Sequence, residues 1–276
     1  MGKRLGKLKK VLIIGGSSSI CDEIVTYLEK NDYVIDLLTY RNEENKKYIK
    51  NYEMYQWRHL DLTVEEYTQN AIIQIPNNYY DTIICTPTHE SGGRDPLATS
   101  REYLENVFGK FIINYMDLVR NLIFKKLKDD GHFIFISSEA ANTPTDMHDY
   151  SAAKAAMQAY VRSLSKKAEN KTVFIIATTG IYESLAYYQH GGADYYKFDP
   201  DRWVYKEQIA KIIVNATKKD NGNIFTLGFI PSKTENINNY SGIIYPYTDK
   251  KGSYEVWHGL YKPKHERPDG PSVDIV

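Results

Sequence analysis

Val11-Leu12-Ile13-Ile14-Gly15-Gly16-Ser17-Ser18-Ser19-Ile20 reads as a strand, a tight turn of glycine and serine, and a helix beginning near Ile20. An unbroken apolar run suits a strand covered on both faces, and Gly15-Gly16 ends it. A helix entered straight from such a turn aims backbone N–H groups and its positive end at an anion. The full Gly-x-Gly-x-x-Gly pattern is absent, so an ordinary first strand–helix turn stands as the alternative reading. Working outward, further apolar runs near 34–39, 54–60, 82–86, 132–137 and 172–178 alternate with helix-like segments. A last unit joins a helix near 205–218 to a strand near 223–227. This alternation predicts an α/β fold, a doubly wound parallel sheet of about seven strands with helices on both faces. From about Phe229 the pattern fades into Asn, Tyr, Pro and Lys, and 229–276 reads as a C-terminal extension that wraps the domain or a partner subunit, or stays partly loose.

A chain of 276 residues can bury its core as one domain, so 1–276 is read as a single unit. Lys+Arg and Asp+Glu both number 35, leaving no global field to gather nucleic acid or an anionic membrane; a small-molecule partner is expected. The two cysteines, Cys21 and Cys85, form no Cys-x-x-Cys pattern, and none of the seven histidines forms a ligand cluster by spacing, so no metal is expected. The basic residues 1–10 lead into an apolar run that Gly15-Gly16 cuts far short of a signal segment or membrane span. The expectation is a soluble cytoplasmic protein.

The chemistry is concentrated in Asp149-Tyr150-Ser151-Ala152-Ala153-Lys154-Ala155-Ala156. Four positions apart on a helix, a phenol and an ammonium share one face, and a neighbouring cation favours the phenolate, which suits proton transfer. Tyr247 and Lys251 repeat the spacing, but within Pro246-Tyr247-Thr248-Asp249-Lys250-Lys251-Gly252, which reads as a turn and offers no common helix face. At the end of the second strand Arg41 stands where an adenosine ribose would lie, and a guanidinium there pairs with a 2′-phosphate. Asp36, about twenty residues after the glycine turn, is the competing candidate for a ribose hydroxyl, although it lies inside the strand. NADP is therefore expected before NAD.

Taken in order, these segments resemble the short-chain dehydrogenase/reductase family, in its compact single-domain branch, over about residues 9–228. The resemblance implies a Rossmann-like fold. Gly15 falls on the first glycine of the family's Thr-Gly-x-x-x-Gly-x-Gly turn, with Ser19 and Cys21 on the second and third; an alignment starting from Gly16 is the alternative. Ser17, Ser18, Ser19 and Ile20 would line the phosphates. His59-Leu60-Asp61-Leu62-Thr63 resembles the step after the third strand, which puts Asp61 and Leu62 at the adenine. Asp81 to Thr88, with Thr86, stands in the place of Asn-Asn-Ala-Gly without its letters. Glu105-Asn106-Val107-Phe108-Gly109-Lys110-Phe111 is similar to the Asn-x-x-Gly-x-Phe helix, and Phe133-Ile134-Phe135-Ile136-Ser137-Ser138 to the strand ending in the catalytic serine. Ser138 is the motif match, while Ser137 has the commoner spacing to Tyr150. Thr178-Thr179-Gly180-Ile181 stands at the Pro-Gly segment by the nicotinamide.

The resemblance implies NAD(P)-dependent hydride transfer to or from a carbonyl or alcohol, with NADP expected and NAD possible, and with Asn106, Ser138, Tyr150 and Lys154 as catalytic residues. Tyr150 would give the proton, Lys154 would support the phenolate and hold the nicotinamide ribose, Ser138 would bind the substrate oxygen, and Asn106 would order a relay water. Gly180 and Ile181 would flank the carboxamide. Homodimers or homotetramers built through the helices near 100–127 and 150–168 are expected from the family. Two rivals are a sugar-nucleotide epimerase or dehydratase with bound NAD and a non-catalytic NADP-binding regulator. The first is disfavoured by the roughly 120 residues after Tyr150, the second by an intact Ser-Tyr-Lys set. Substrate choice is expected in 182–199, whose paired tyrosines surround Gly191-Gly192.

Overall fold

A computed structural model of the protein describes residues 8–16, 18, 20–31, 33–39, 57–89, 95–142, 146–168, 170–178, 181, 206–217, 225–227, 243–249 and 252–258. The opening unit is strand β1 (Lys9–Ile14), the glycine turn, helix α1 (Cys21–Glu29) and β2 (Tyr33–Thr39). Then come β3 (Trp57–His59), α2 (Glu65–Gln74) and β4 (Tyr80–Cys85). A composite helix α3 runs over 101–126. It is α-helical at Arg101–Leu104 and Ile113–Asn121 and π-helical at Glu105–Ile112 and Leu122–Lys126. The chain continues through β5 (Leu127–Ser138), a short 3-10 turn, α4 (His148–Ser165), β6 (Thr172–Thr178), α5 (Lys206–Ala216), β7 (Phe225–Leu227), β8 (Ile243–Asp249) and β9 (Gly252–His258).

These strands form one nine-stranded sheet in the order β3-β2-β1-β4-β5-β6-β7-β9-β8. The first seven are parallel to their neighbours, as the unbroken apolar runs predict. Chain direction across the sheet reverses between β1 and β4, and the carboxyl ends of those two strands open the crevice in which such sheets bind ligands. Alternate residues of each strand feed two cores. Leu12, Ile14, Ile83, Phe133 and Phe135 pack with Tyr115, Leu118 and Met157 beneath α2, α3 and α4. Val11, Ile13, Ile84, Ile134 and Ile136 pack with Ile24, Leu28, Ile209 and Ile213 beneath α1 and α5. Each fully buried aliphatic or aromatic side chain contributes about 1.5–3 kcal/mol, so these two layers supply most of the driving force.

Lys128-Asp129-Asp130-Gly131 forms a bulge within β5: Tyr80 pairs with Leu127 but Thr82 with His132, and Asp130 takes φ 63°. The segment from Pro246 to Asp249 is strand, not turn. Tyr247 lies opposite Tyr254 in the antiparallel β8–β9 pair, and Lys251 lies outside the described residues. In the described part of the C-terminal extension, β9 joins β7 in parallel and lengthens the sheet. Edge pairing satisfies backbone groups without needing the apolar runs by which strands are recognised, which is why the sequence pattern fades there.

Candidate active site

The glycine turn is held from both neighbouring strands. Gly15 and Gly16 donate their N–H groups to Leu38 O at 2.7 and 3.2 Å. Thr86 donates its hydroxyl to Ile14 O at 3.0 Å and Gly15 O at 3.1 Å, while its N–H bonds Ile14 O at 2.9 Å. Gly15 has φ +84°, and a Cβ there would lie 2.5 Å from Thr86 Oγ1 and 3.0 Å from Pro87 N, so this position requires glycine on two independent grounds. Cys21, at the family's third glycine, turns inward. Its thiol donates to Gly15 O at 3.4 Å and lies 3.9 Å from Thr86 Oγ1, with the residue 1% exposed. Burial pushes the Cys21 thiol up to about 12. The side chain that replaces glycine is therefore absorbed by the core and by Thr86. Ser18 N donates to Gly15 O, and Ser18 Oγ accepts from Ile20 N at 3.4 Å, closing the turn into α1, whose first turn carries Asp22 and Glu23. Ser17, Ser19, Arg41 and Gly180, and the segment 182–199, lie outside the described residues.

Asp36 lies within β2 opposite Leu12 and accepts a hydrogen bond from the Tyr80 hydroxyl at 2.6 Å. Its carboxylate is thereby committed inside the sheet, away from the strand's carboxyl end. Asp61 accepts from Thr63 N at 2.8 Å and Thr63 Oγ1 at 2.7 Å, capping the turn after β3. Leu62 is buried, with its carbonyl held by Asn114 Nδ2 at 2.9 Å. Ile181 packs against the α1–α5 core.

Ser137 and Ser138 end β5 with different fates. Ser137 is 3% exposed and its hydroxyl donates to Gln158 Oε1 at 2.8 Å; Gln158 Nε2 donates in turn to Asn142 Oδ1 at 2.8 Å. Ser138 is half-buried, and its oxygen accepts only the N–H of Ala140, at 3.2 Å, which leaves its own proton uncommitted among the described residues. Tyr150 lies in the first turn of α4 and Lys154 one turn on, as the spacing predicts. Lys154 Nζ is 5.7 Å from the centre of the Tyr150 ring and donates to Pro87 O at 3.3 Å, so the ammonium is tied to the loop after β4. Asn106, half-buried, sits in the π-helical part of α3, a distortion frequent at functional sites.

Two features went unread in the sequence. Tyr103 donates its hydroxyl to Asp149 Oδ2 at 2.8 Å, joining the start of α3 to the start of α4 beside Tyr150. His89, directly after the Asp81–Thr88 run, sets its ring centre 5.7 Å from that of Tyr150 and 5.4 Å from that of Phe111, tilted to both. No spacing rule announces either contact, because each joins segments distant in sequence. A cleft of about 730 Å³ lies elsewhere, on the α2–α3–α4 face, lined by Gln69, Lys110, Ile113, Asn114, Asp117 and Tyr160 among others; none of Ser138, Tyr150 and Lys154 lines it. Among the described residues no helix is long and apolar enough to cross a membrane, and no group of three His, Cys, Asp or Glu side chains could hold a metal ion.

The sequence matches the short chain dehydrogenase family over residues 9–185. The chain belongs to that family, whose members are oxidoreductases. Its fold is similar to that of BdcA, in a complex with NADPH, at 16% identity and a TM-score of 0.67 over 84% of this chain and 98% of that one. A doubly substituted Serratia marcescens short-chain dehydrogenase/reductase agrees at 14% identity and TM-score 0.64 over 79% and 96% of the two chains. ElxO with NADP bound agrees at 17% identity and TM-score 0.60 over 80% and 97%. At such identities the likeness is one of fold. No curated protein matches the sequence.

Proposed function

We propose that the protein is an NADPH-preferring carbonyl reductase or alcohol dehydrogenase in which Ser138, Tyr150, Lys154 and Asn106 form the proton relay. The observation that carries this reading is the Tyr150–Lys154 pair at the carboxyl end of the sheet. Its ammonium lies 5.7 Å from the phenol ring and is anchored by Pro87 O. Tyr150 gives its proton to the substrate oxygen as negative charge develops there, and Lys154 stabilises the phenolate left behind. Ser138, whose hydroxyl proton is uncommitted among the described residues, donates to the same oxygen and orients it. Asn106 returns protons through an ordered water to Lys154.

A dinucleotide fits these residues. The Gly15–Gly16 turn is tight and Cys21, at the place of the third glycine, is buried against Thr86 and the core, which supports a dinucleotide at the N-terminal end of α1. Ser17, Ser18, Ser19 and Ile20 line the phosphates, Asp61 and Leu62 border the adenine, and the loop carrying Thr86 and Pro87 borders the nicotinamide half, together with Gly180 and Ile181. When bound, the nicotinamide supplies or accepts the hydride. With Asp36 held by Tyr80, Arg41 becomes the group that meets a 2′-phosphate, and BdcA and ElxO, which resemble this chain in fold, carry NADPH and NADP. Homo-oligomers form through the α3–α4 face, where Ile113 is 57% exposed. Two free, buried thiols suit a reducing cytoplasm.

Fluorescence titration with NADPH and NADH, followed by a panel of carbonyl substrates, tests the reading. NADPH binds more tightly than NADH, Arg41→Asp erases or reverses that preference, and Tyr150→Phe abolishes turnover while leaving cofactor affinity nearly unchanged. Failure to bind either cofactor refutes the proposal; binding without turnover on any carbonyl or alcohol identifies a regulator instead.

A further inference from the structure

Gln158 lies one turn beyond Lys154 and two beyond Tyr150 on α4, so the three side chains share one face of that helix. The relay uses only the first two. Gln158 is 3% exposed, and both ends of its amide are committed. Oε1 accepts the Ser137 hydroxyl at 2.8 Å, and Nε2 donates to Asn142 Oδ1 at 2.8 Å. These two partners bracket Ser138: one precedes it in β5, and the other follows the 3-10 turn Glu139–Ala141. A fully buried helix position ordinarily carries an apolar side chain. A buried amide satisfied at both ends instead fixes one arrangement of the segments it joins.

The bracketed segment is where such fixing matters. The ladder between β5 and β6 ends with Ser138 opposite Thr178, so that pairing does not hold the chain beyond this point. Yet the next residues orient the hydroxyl, because Ala140 N donates to Ser138 Oγ at 3.2 Å. That bond occupies a lone pair of the oxygen and leaves its proton for a substrate, so the direction of the O–H bond follows the placement of the turn. Ala140 is buried, and the turn packs against α4. Asn142 comes directly after the turn, and its bond to Gln158 ties the far end of the turn to the same helix.

We propose that Gln158 is a positioning residue for Ser138: through Asn142 it holds the Glu139–Ala141 turn, and with it the Ala140 N–H that orients the Ser138 hydroxyl, on the helix that carries Tyr150 and Lys154. The role rests on the reading of Ser138 as the donor to the substrate oxygen. The Ser137 bond seats the amide in the core, and the Asn142 bond transmits its position to the turn. Gln158 exchanges no proton and acts through geometry alone.

Two measurements on the full chain test it, and the first needs no turnover. In amide hydrogen exchange, the Ala140 N–H exchanges faster in Ser138→Ala, which removes its acceptor, and also in Asn142→Ala, which removes only the exposed end of the tie. Asn142→Asp keeps an acceptor for Nε2 and restores the protection. Unchanged exchange at Ala140 in Asn142→Ala overturns the proposal. In steady-state kinetics with NADPH and a carbonyl substrate, Asn142→Ala and Gln158→Met each lower kcat roughly fivefold to tenfold, with NADPH affinity within about twofold of the parent. Neither lowers kcat further once Ser138→Ala is present, because the effect runs through that hydroxyl. An equal loss in the Ser138→Ala background is general loosening and overturns the role, as does an unchanged kcat in Asn142→Ala. Should Gln158→Met fail to fold, Asn142→Ala decides, since its side chain lies at the surface. If the parent turns over no carbonyl or alcohol, or Ser138→Ala turns over like the parent, the functional reading fails at that step. The role of Gln158 in turnover then falls with it, even where the exchange result shows the tie intact.

Discussion

Ser137 and Ser138 are adjacent in β5, yet the hydroxyl of Ser137 is spent on Gln158 Oε1 at 2.8 Å while that of Ser138 has its proton free of the described protein groups. Strand alternation sends neighbouring side chains to opposite faces, Ser137 toward α4 and the core and Ser138 away from it. The prediction separates the two serines by assay. Ser137→Ala leaves Gln158 without its donor and lowers stability by roughly 1–3 kcal/mol, with kcat little changed. Ser138→Ala leaves the melting temperature nearly intact and lowers kcat on the order of 10²-fold, the usual loss for an oxyanion donor. The reverse pattern would transfer the catalytic assignment to Ser137.

Gly15→Ala tests the turn. The left-handed backbone, at φ +84°, and a Cβ placed 2.5 Å from Thr86 Oγ1 act together, so chemical denaturation reports a loss of roughly 2–4 kcal/mol. NADPH affinity falls as well, because the turn must open to accommodate the methyl group. Ser18→Ala, which removes only a 3.4 Å contact to Ile20 N, has a much smaller effect on stability.

The pH dependence of stability has two predicted flanks. Cys21 is raised to about 12 and Cys85 is raised by burial in the same direction, so between about pH 9 and 12 the folded chain holds protons that the unfolded chain releases. Stability is full below 9 and declines as pH rises through that window. His89, lowered to about 4 from 6.5, acts at the other end: the unfolded chain takes up the proton first, so its contribution is full above 6.5 and is lost as pH falls toward 4. Urea midpoints measured across pH check both flanks, and His89→Phe removes the second. Cys21 and Cys85 also react with a thiol reagent only at the rate of unfolding; fast labelling of the native protein would contradict their burial.

Tyr103→Phe probes the strut beside Tyr150. Asp149 is 7% exposed and accepts the Tyr103 hydroxyl at 2.8 Å, so the substitution removes a donor from a buried carboxylate and costs about 1–3 kcal/mol. Because Asp149 precedes Tyr150, kcat drops while the KM for NADPH holds. A variant with unchanged kcat would show that Tyr150 is placed by its helix alone.

Much of the architecture was legible along the chain. The runs at 11–14, 82–86 and 172–178 announce buried parallel strands because both faces are covered, and the four-residue spacing of Tyr150 and Lys154 announces a shared helix face because helix geometry is local. The β8–β9 hairpin was not legible, since edge strands carry no such signature, and neither was the bulge at Asp130, since it is defined by register against Tyr80 and Thr82.

What the sequence by itself determined is the set of short-range patterns: the strand–turn–helix opening at Val11–Ile20, the alternation of elements, and the Tyr150–Lys154 pair. Tertiary structure alone decided how distant residues share those parts. It lodged Cys21 against Thr86, committed Asp36 to Tyr80 and Ser137 to Gln158, tied Lys154 to Pro87, and set His89 beside the Tyr150 ring. The reason is physical: spacing sets which side chains share a face of one element, whereas partners across elements depend on sheet order and packing, which only the assembled chain defines.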